Sequence, residues 1–254
     1  MKFFSLFLII MAAGFAPNAA NAATTLLQIS GRDFYDDATN VFLAASSGVR
    51  LVAESGEWKR DANGAIYNAK GSSALPWRVE ADNPAASGKF VKTIFLVVSN
   101  APSIAIFESV VTSNERFRIG GRESGNKRFN AEAAVDAGAH TILDWSVNLQ
   151  PKAKLSGGAT QMITLVFKEP QKLEYMQFFG EGRPEWGRGF RGSLLELIAL
   201  DGTVSEPVHE AVAHYFRLKY GLPLDVQSTP EGRLKGSEIG ISYSGQFGSI
   251  LYLK

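Results

Sequence analysis

The chain has 254 residues, 45% of them apolar, with 26 basic and 25 acidic side chains and no cysteine. That balance argues against a nucleic-acid or anionic-membrane binder driven by net charge. The missing thiols exclude disulfide staples, cysteine-zinc sites and thiol catalysis, so stability has to come from an apolar core, which a chain this long can build.

Read from the start, Lys2 gives a positive charge, Phe3 to Ala16 is an almost unbroken apolar run, and Ala20-Asn21-Ala22 supplies an A-x-A cleavage pattern. Residues 1–22 are therefore expected to be a secretory signal peptide, directing export to the periplasm, the cell surface or the medium. The run is shorter than the roughly 18 apolar residues of a membrane span, and no later stretch reaches that length, so no transmembrane segment is expected. Residues 23–254 are expected to fold as one domain. Without Lys2 they hold 25 basic against 25 acidic residues.

The first polar cluster is Asp33, Asp36 and Asp37, with Asn40 beside it. These are hard oxygen ligands and form a candidate calcium group, although they lack the ligand spacing and glycine of a calcium loop. Solvated surface acids are the plain alternative. Short apolar runs rich in β-branched and aromatic residues follow: Val49 to Ala53, Thr93 to Ser99, Ser103 to Glu108, Met162 to Phe167, Tyr175 to Phe179 and Ser193 to Leu200. Turn signals separate them at Asn63-Gly64, Ser87-Gly88, Glu123 to Asn126, Ser156 to Gly158 and Asp201-Gly202. Such spacing predicts a mainly β protein, an antiparallel sandwich or jelly roll. Thr93 to Ser99 is apolar on both faces and is expected to be central. Trp58, Trp77 and Trp145 are expected to serve the core or pin loops.

Residues 205–220 break the pattern with helical spacing. Ser205 is placed to cap, Glu206 suits the positive helix end, Pro207 is tolerated in the first turn, and Gly221 suits the C′ position ahead of Pro223. Val208, Ala211, Val212, Tyr215 and Leu218 are expected to form the docking stripe of this one C-terminal helix. Residues 225–254 are expected to add strands, around Ser237 to Tyr243 and Gly248 to Leu253.

Within the helix, His209 to His214 reads HEAVAH. A zinc-protease helix needs histidines at i and i+4, about 40° apart. Here the spacing is i and i+5, about 140° apart, which one ion cannot bridge. The only other histidine, His140, lies in an unrelated stretch. His214 and Glu210 are expected on the solvated face, with His209 at its border.

The block Phe190-Arg-Gly192, Leu194 to Leu200, Val204-Ser-Glu206 and the helix ending Lys219-Tyr-Gly-Leu222 resembles bacterial members of the concanavalin A-like lectin/glucanase (LamG-like jelly-roll) superfamily. Thr93 to Val98 is similar to that superfamily's central strand, and Glu115 to Gly121 to the strand and turn after it. The resemblance covers roughly Val41 to Leu224 and departs from the pattern at Pro207. It implies a concanavalin A-like sandwich, with lectins, glucanases and polysaccharide lyases as its functional classes.

The residues weigh against the enzymes. A retaining glycosidase needs two carboxylates about 5–5.5 Å apart, commonly from alternating positions of one strand. Glu196, with Leu194 and Ile198 expected as same-face neighbours, has no partner acid and is read as structural. No G-x-S-x-G or lyase-type motif occurs. No catalytic residue is assigned. Trp186, in a polar loop with Arg183, Arg188 and Arg191, is the expected sugar contact. A second basic stretch holds Arg116, Arg118, Arg122, Lys127 and Arg128, with Asn126 beside it, and Arg116 and Arg118 read equally as the wet face of a strand. The expected carbohydrate-binding set is Trp186, Arg183, Arg188, Arg122 and Asn126, and its arginines favour an acidic sugar. The function expected is an exported, non-catalytic protein that binds carbohydrate or an envelope protein, with no nucleic-acid partner. A polysaccharide-cleaving enzyme and a surface-assembly subunit are the alternatives.

Overall fold

The computed structural model describes residues 23–31, 35–36, 41–43, 47–53, 58–69, 77–99, 107–111, 115–119, 142–153, 156, 158–178, 192–227 and 229–239. In chain order the strands are β1 (Thr25–Ser30), β2 (Tyr35–Asp36), β3 (Val41–Leu43), β4 (Arg50–Ala53), β5 (Trp58–Arg60), β6 (Ile66–Asn68), β7 (Trp77–Val79) and β8 (Phe90–Ser99). They continue as β9 (Phe107–Val111), β10 (Glu115–Ile119), β11 (Ile142–Val147), β12 (Gln150–Pro151), β13 (Gln161–Lys172), β14 (Gln177–Phe178) and β15 (Ser193–Leu200). A 3₁₀ turn, Leu173–Tyr175, links β13 to β14, and two helices close the described chain: α1 (Glu206–Tyr220) and α2 (Pro230–Glu238). None of the described helices is long and apolar enough to cross a membrane.

Among the described residues every strand pairing is antiparallel. The large sheet runs β12-β11-β13-β8-β15-β6-β5, with β1 on the same side of β15 as β6. A five-stranded sheet runs β14-β7-β4-β3-β2, and β9 and β10 form a separate pair. Side chains of both larger sheets share one core: Leu27, Ile94, Leu96, Ile163, Leu165 and Leu197 meet Leu51, Trp77, Val79 and Phe178. The arrangement is mainly antiparallel β and consistent with a β-sandwich.

The expected double-sided burial of β8 is what the structure has. Ile94, Leu96 and Val98 face the small sheet. Phe95 and Val97 face away, onto a second core with Val208, Val212, Tyr215 and Phe216 of α1. The molecule is thus layered, small sheet on large sheet on helix, and β8 reads as a continuous apolar run because both its faces are covered. Trp58 and Trp77 sit in the first core with ring centroids 5.1 Å apart, and Trp145 packs against that core from partial burial.

Three expectations change. Leu218 is 65% exposed and leaves the docking stripe, its place taken by Phe216. At 100° per residue Leu218 lies roughly 100° from the stripe's centre, so the sheet does not reach it. Residues 230–238, within the span expected to add strands, form helix α2, which packs beside α1. The extended link between them sends Leu222, Leu224 and Val226 into the second core, and Ile239 follows after α2. The docked helix is therefore accompanied by a second one; residues 240–254 lie outside the described residues.

Gly31 closes β1 where space is least. A Cβ there would stand 2.1 Å from the Gly64 carbonyl oxygen. Its N–H donates to the Leu195 carbonyl at 3.2 Å and its own carbonyl accepts from Arg60 at 3.2 Å. Gly31→Ala forces backbone apart and is expected to cost about 1–3 kcal/mol, read as a lower urea midpoint with an unchanged slope.

Candidate functional site

Two polar constellations stand out among the described residues, one buried under α1 and one open at the edge of the small sheet. The buried one begins with a defect in β15. Leu194 pairs with Val98 and Glu196 with Val97, so Leu195 is an extra residue, a β-bulge. The bulge moves Leu194 to the sheet–sheet core and turns Glu196 toward α1, which overturns the expectation that Leu194 shares a face with Glu196. The Leu195 carbonyl accepts from Gly31 N–H and, at 3.4 Å, from the Tyr220 hydroxyl.

Glu196 is 0% exposed. Its Oε1 accepts from Gln28 Nε2 at 2.8 Å and from Tyr215 hydroxyl at 2.9 Å. Its Oε2 accepts from Tyr220 hydroxyl at 2.5 Å and pairs with Lys219 Nζ at 2.9 Å. Lys219 also donates to the Tyr215 hydroxyl at 3.0 Å, and its ammonium lies 5.4 and 5.5 Å from the two tyrosine ring centres. Burying a carboxylate without partners is prohibitive; here three neutral donors and a near-buried cation satisfy it. With its oxygens occupied and no solvent access, Glu196 offers no acid or base to a substrate. It fastens helix to sheet, the structural role read from its place among leucines.

Sequence reasoning missed Lys219, and a signal was present. Lys219 falls at i+4 from Tyr215, i+7 from Val212 and i+11 from Val208, the centre of the apolar face. A lysine there, facing a lone glutamate in an apolar strand, specifies a buried ion pair.

The ends of α1 follow the sequence with one exception. Gly221 adopts φ 67° and its N–H donates to the Arg217 carbonyl at 2.9 Å. Ser205 occupies the N-cap position, but its side chain makes no capping bond; its carbonyl accepts from Val208 and His209. The histidines of HEAVAH face different surroundings. His209 Nε2 lies 2.9 Å from Thr164 Oγ1 of β13, with its ring against Phe95. Burial holds its pKa below the ordinary 6.5, against a smaller upward pull from Glu206. His214 is half-buried, and its pKa is lowered first by burial and then by the positive charges of Arg217 and Arg233. The register that separates them by about 140° leaves them no common ion.

The open constellation is a cleft of about 600 Å³ lined by Glu80, Ala81, Asp82, Asn83, Pro84, Ser87, Glu174 and Tyr175. Tyr175 is 45% exposed, on the 3₁₀ turn anchored by fully buried Leu173 and Met176. Leu173 N–H donates to the Lys89 carbonyl at 2.9 Å and Met176 N–H to that of Leu173 at 3.0 Å, which fixes the turn. The facing loop is a run of turns: Asn83 N–H reaches the Glu80 carbonyl, Ala86 N–H that of Asn83, and Lys89 N–H that of Ala86. Asn83 Oδ1 accepts from Ala85 N–H at 2.9 Å, and Asp82 is held at φ 58°. An exposed ring on a rigid base, flanked by carboxylates and an amide, is chemistry suited to polyhydroxylated ligands.

Trp186, Arg183, Arg188, Arg122 and Asn126 lie outside the described residues, as do Asp33 and Asp37. Asp36 stands in β2 opposite Val41, its side chain undescribed. Among the described residues no group of three acids or histidines is arranged to hold a metal. Set against family models, curated proteins and solved structures, the chain has no match.

Two outcomes follow from the buried groups. Lys219→Met leaves the Glu196 carboxylate uncompensated and is expected to lower stability by about 3–5 kcal/mol, measured by urea unfolding. Both histidines have depressed folded pKa values, so the unfolded chain takes up protons first. Stability is thus expected to be flat above about pH 6.5 and to fall as pH drops below it, by at most about 1.4 kcal/mol per pH unit for each histidine. His209→Gln should shallow that slope in unfolding curves taken between pH 7 and 5.

Proposed function

We propose that the protein is an exported, non-catalytic binding protein built on a concanavalin A-like jelly roll, and that it recognises carbohydrate. Export rests on the leader-like residues 1–22, and the jelly-roll assignment on the block from Phe190 to Leu222 together with the antiparallel layers. Helix α1 covers the central strands β13, β8 and β15 on one face of the large sheet, and the small sheet packs on the other. Recognition is therefore assigned to the edge of the fold and not to a sheet face. The observation that carries the reading is the open cleft with Tyr175 as its exposed ring. The non-catalytic part is supported by Glu196, the carboxylate buried in the large sheet, being fully engaged beneath α1.

Central strands covered on both faces also favour a second reading, a subunit of a surface assembly whose partners are proteins. The two separate on a glycan array probed with the purified chain, with and without calcium. Carbohydrate binding is expected, and a blank array under both conditions would leave the assembly reading. Tyr175→Ala is expected to weaken binding about tenfold, a loss of about 1.4 kcal/mol, with the thermal midpoint unchanged.

A further inference from the structure

We infer that the cleft selects glycans without acidic groups, its carboxylates accepting sugar hydroxyls while Tyr175 stacks on a pyranose face. The inference rests on the carbohydrate reading above and adds the class of ligand and the role of each residue.

The described lining residues contain three carboxylates, Glu80, Asp82 and Glu174, one amide, two hydroxyls and one aromatic ring, and no lysine or arginine. The cations nearby are already engaged. Arg50 pairs with Glu80 at 3.1 Å, and Lys172 lies 4.0 Å from Glu174 and 5.2 Å from the Tyr175 ring centre. Three carboxylates against these two cations leave the cleft net negative, so a uronate or sulfate would meet like charge, from Asp82 above all, which pairs with no cation among the described residues. A neutral sugar brings hydroxyl donors instead, and hydroxyl-to-carboxylate bonds are short and charge-assisted. Asn83 contributes in the opposite sense. Its carbonyl oxygen is taken by Ala85 N–H, so its amide hydrogens are the part suited to a sugar oxygen. The ring supplies an apolar surface for the C–H face of a pyranose, on a base that does not have to order on binding.

This preference is opposite in sign to the one the arginines near Trp186 suggested, so the two sites give different answers in one experiment. The purified full chain is applied to an array carrying neutral oligosaccharides beside their uronate- and sulfate-bearing counterparts. Binding to the neutral members, at least about tenfold above the acidic ones, is expected. Binding concentrated on acidic members would overturn the selectivity while leaving the carbohydrate reading intact, whereas a blank array would remove both. Location is tested with D82N/E174Q, in which the asparagine keeps the left-handed backbone tolerable. The variant should lose about tenfold in affinity for the best neutral ligand and narrow the neutral-to-acidic ratio, with its melting midpoint unchanged. Unaltered binding by both this variant and Tyr175→Ala would overturn the assignment to the cleft.

Discussion

A carboxylate with no access to water sits between the large sheet and helix α1, and the second half of the chain is arranged around its needs. Glu196 takes hydrogen bonds from two tyrosines and a glutamine and an ion pair from Lys219. Three of those four partners, Tyr215, Lys219 and Tyr220, come from the last turns of one helix. The carboxylate therefore fixes the rotation of α1 and its position along the sheet, which apolar packing alone leaves adjustable. The bulge at Leu195 is the backbone device that turns Glu196 toward those donors, and the close approach of Gly31 supplies one of the bonds to the carbonyl the bulge releases.

Helix placement in turn decides which strands of the large sheet are closed to solvent. With α1 on one face of the large sheet and the small sheet on the other, the central strands β13, β8 and β15 are interior on both faces. The cleft proposed for recognition lies at the rim, where the loop from Glu80 to Lys89 faces the turn carrying Tyr175. That rim is rigid for local reasons: successive turn hydrogen bonds on one side, and on the other a 3₁₀ turn held between buried Leu173 and Met176. For the proposed sugar ligand, a cleft already ordered in this way lowers the ordering cost of binding.

Much of the fold was legible because it depends on local pattern. The run Thr93 to Ser99 announced a strand covered on both faces, and the capping glycine, Pro207 and the apolar spacing announced α1 within a residue of its ends. The register of HEAVAH was enough to separate its histidines. The candidate cleft was not legible. Its walls come from segments about 90 residues apart, and neither Asp82-Asn83 nor Glu174-Tyr175 carries a motif. Tyr175 read as the start of an apolar strand, when its neighbours Leu173 and Met176 are buried and the tyrosine points outward. The turn at Asn148-Leu149, with φ of 49° and 66°, was equally hidden, since no glycine marks it and Leu149 is held there by packing against the second core.

By itself the sequence determined the antiparallel β class, the central position of β8, the capped helix and the impossibility of a shared metal at His209 and His214. Each follows from periodicity or backbone geometry within a few residues. The tertiary structure alone decided that β15 is bulged, that Lys219 and not Leu218 faces the sheet, that α2 follows α1, and that Tyr175 borders an acidic cleft. Those depend on which distant segments meet, and a buried charge or a loop-to-loop cleft exists only once they do.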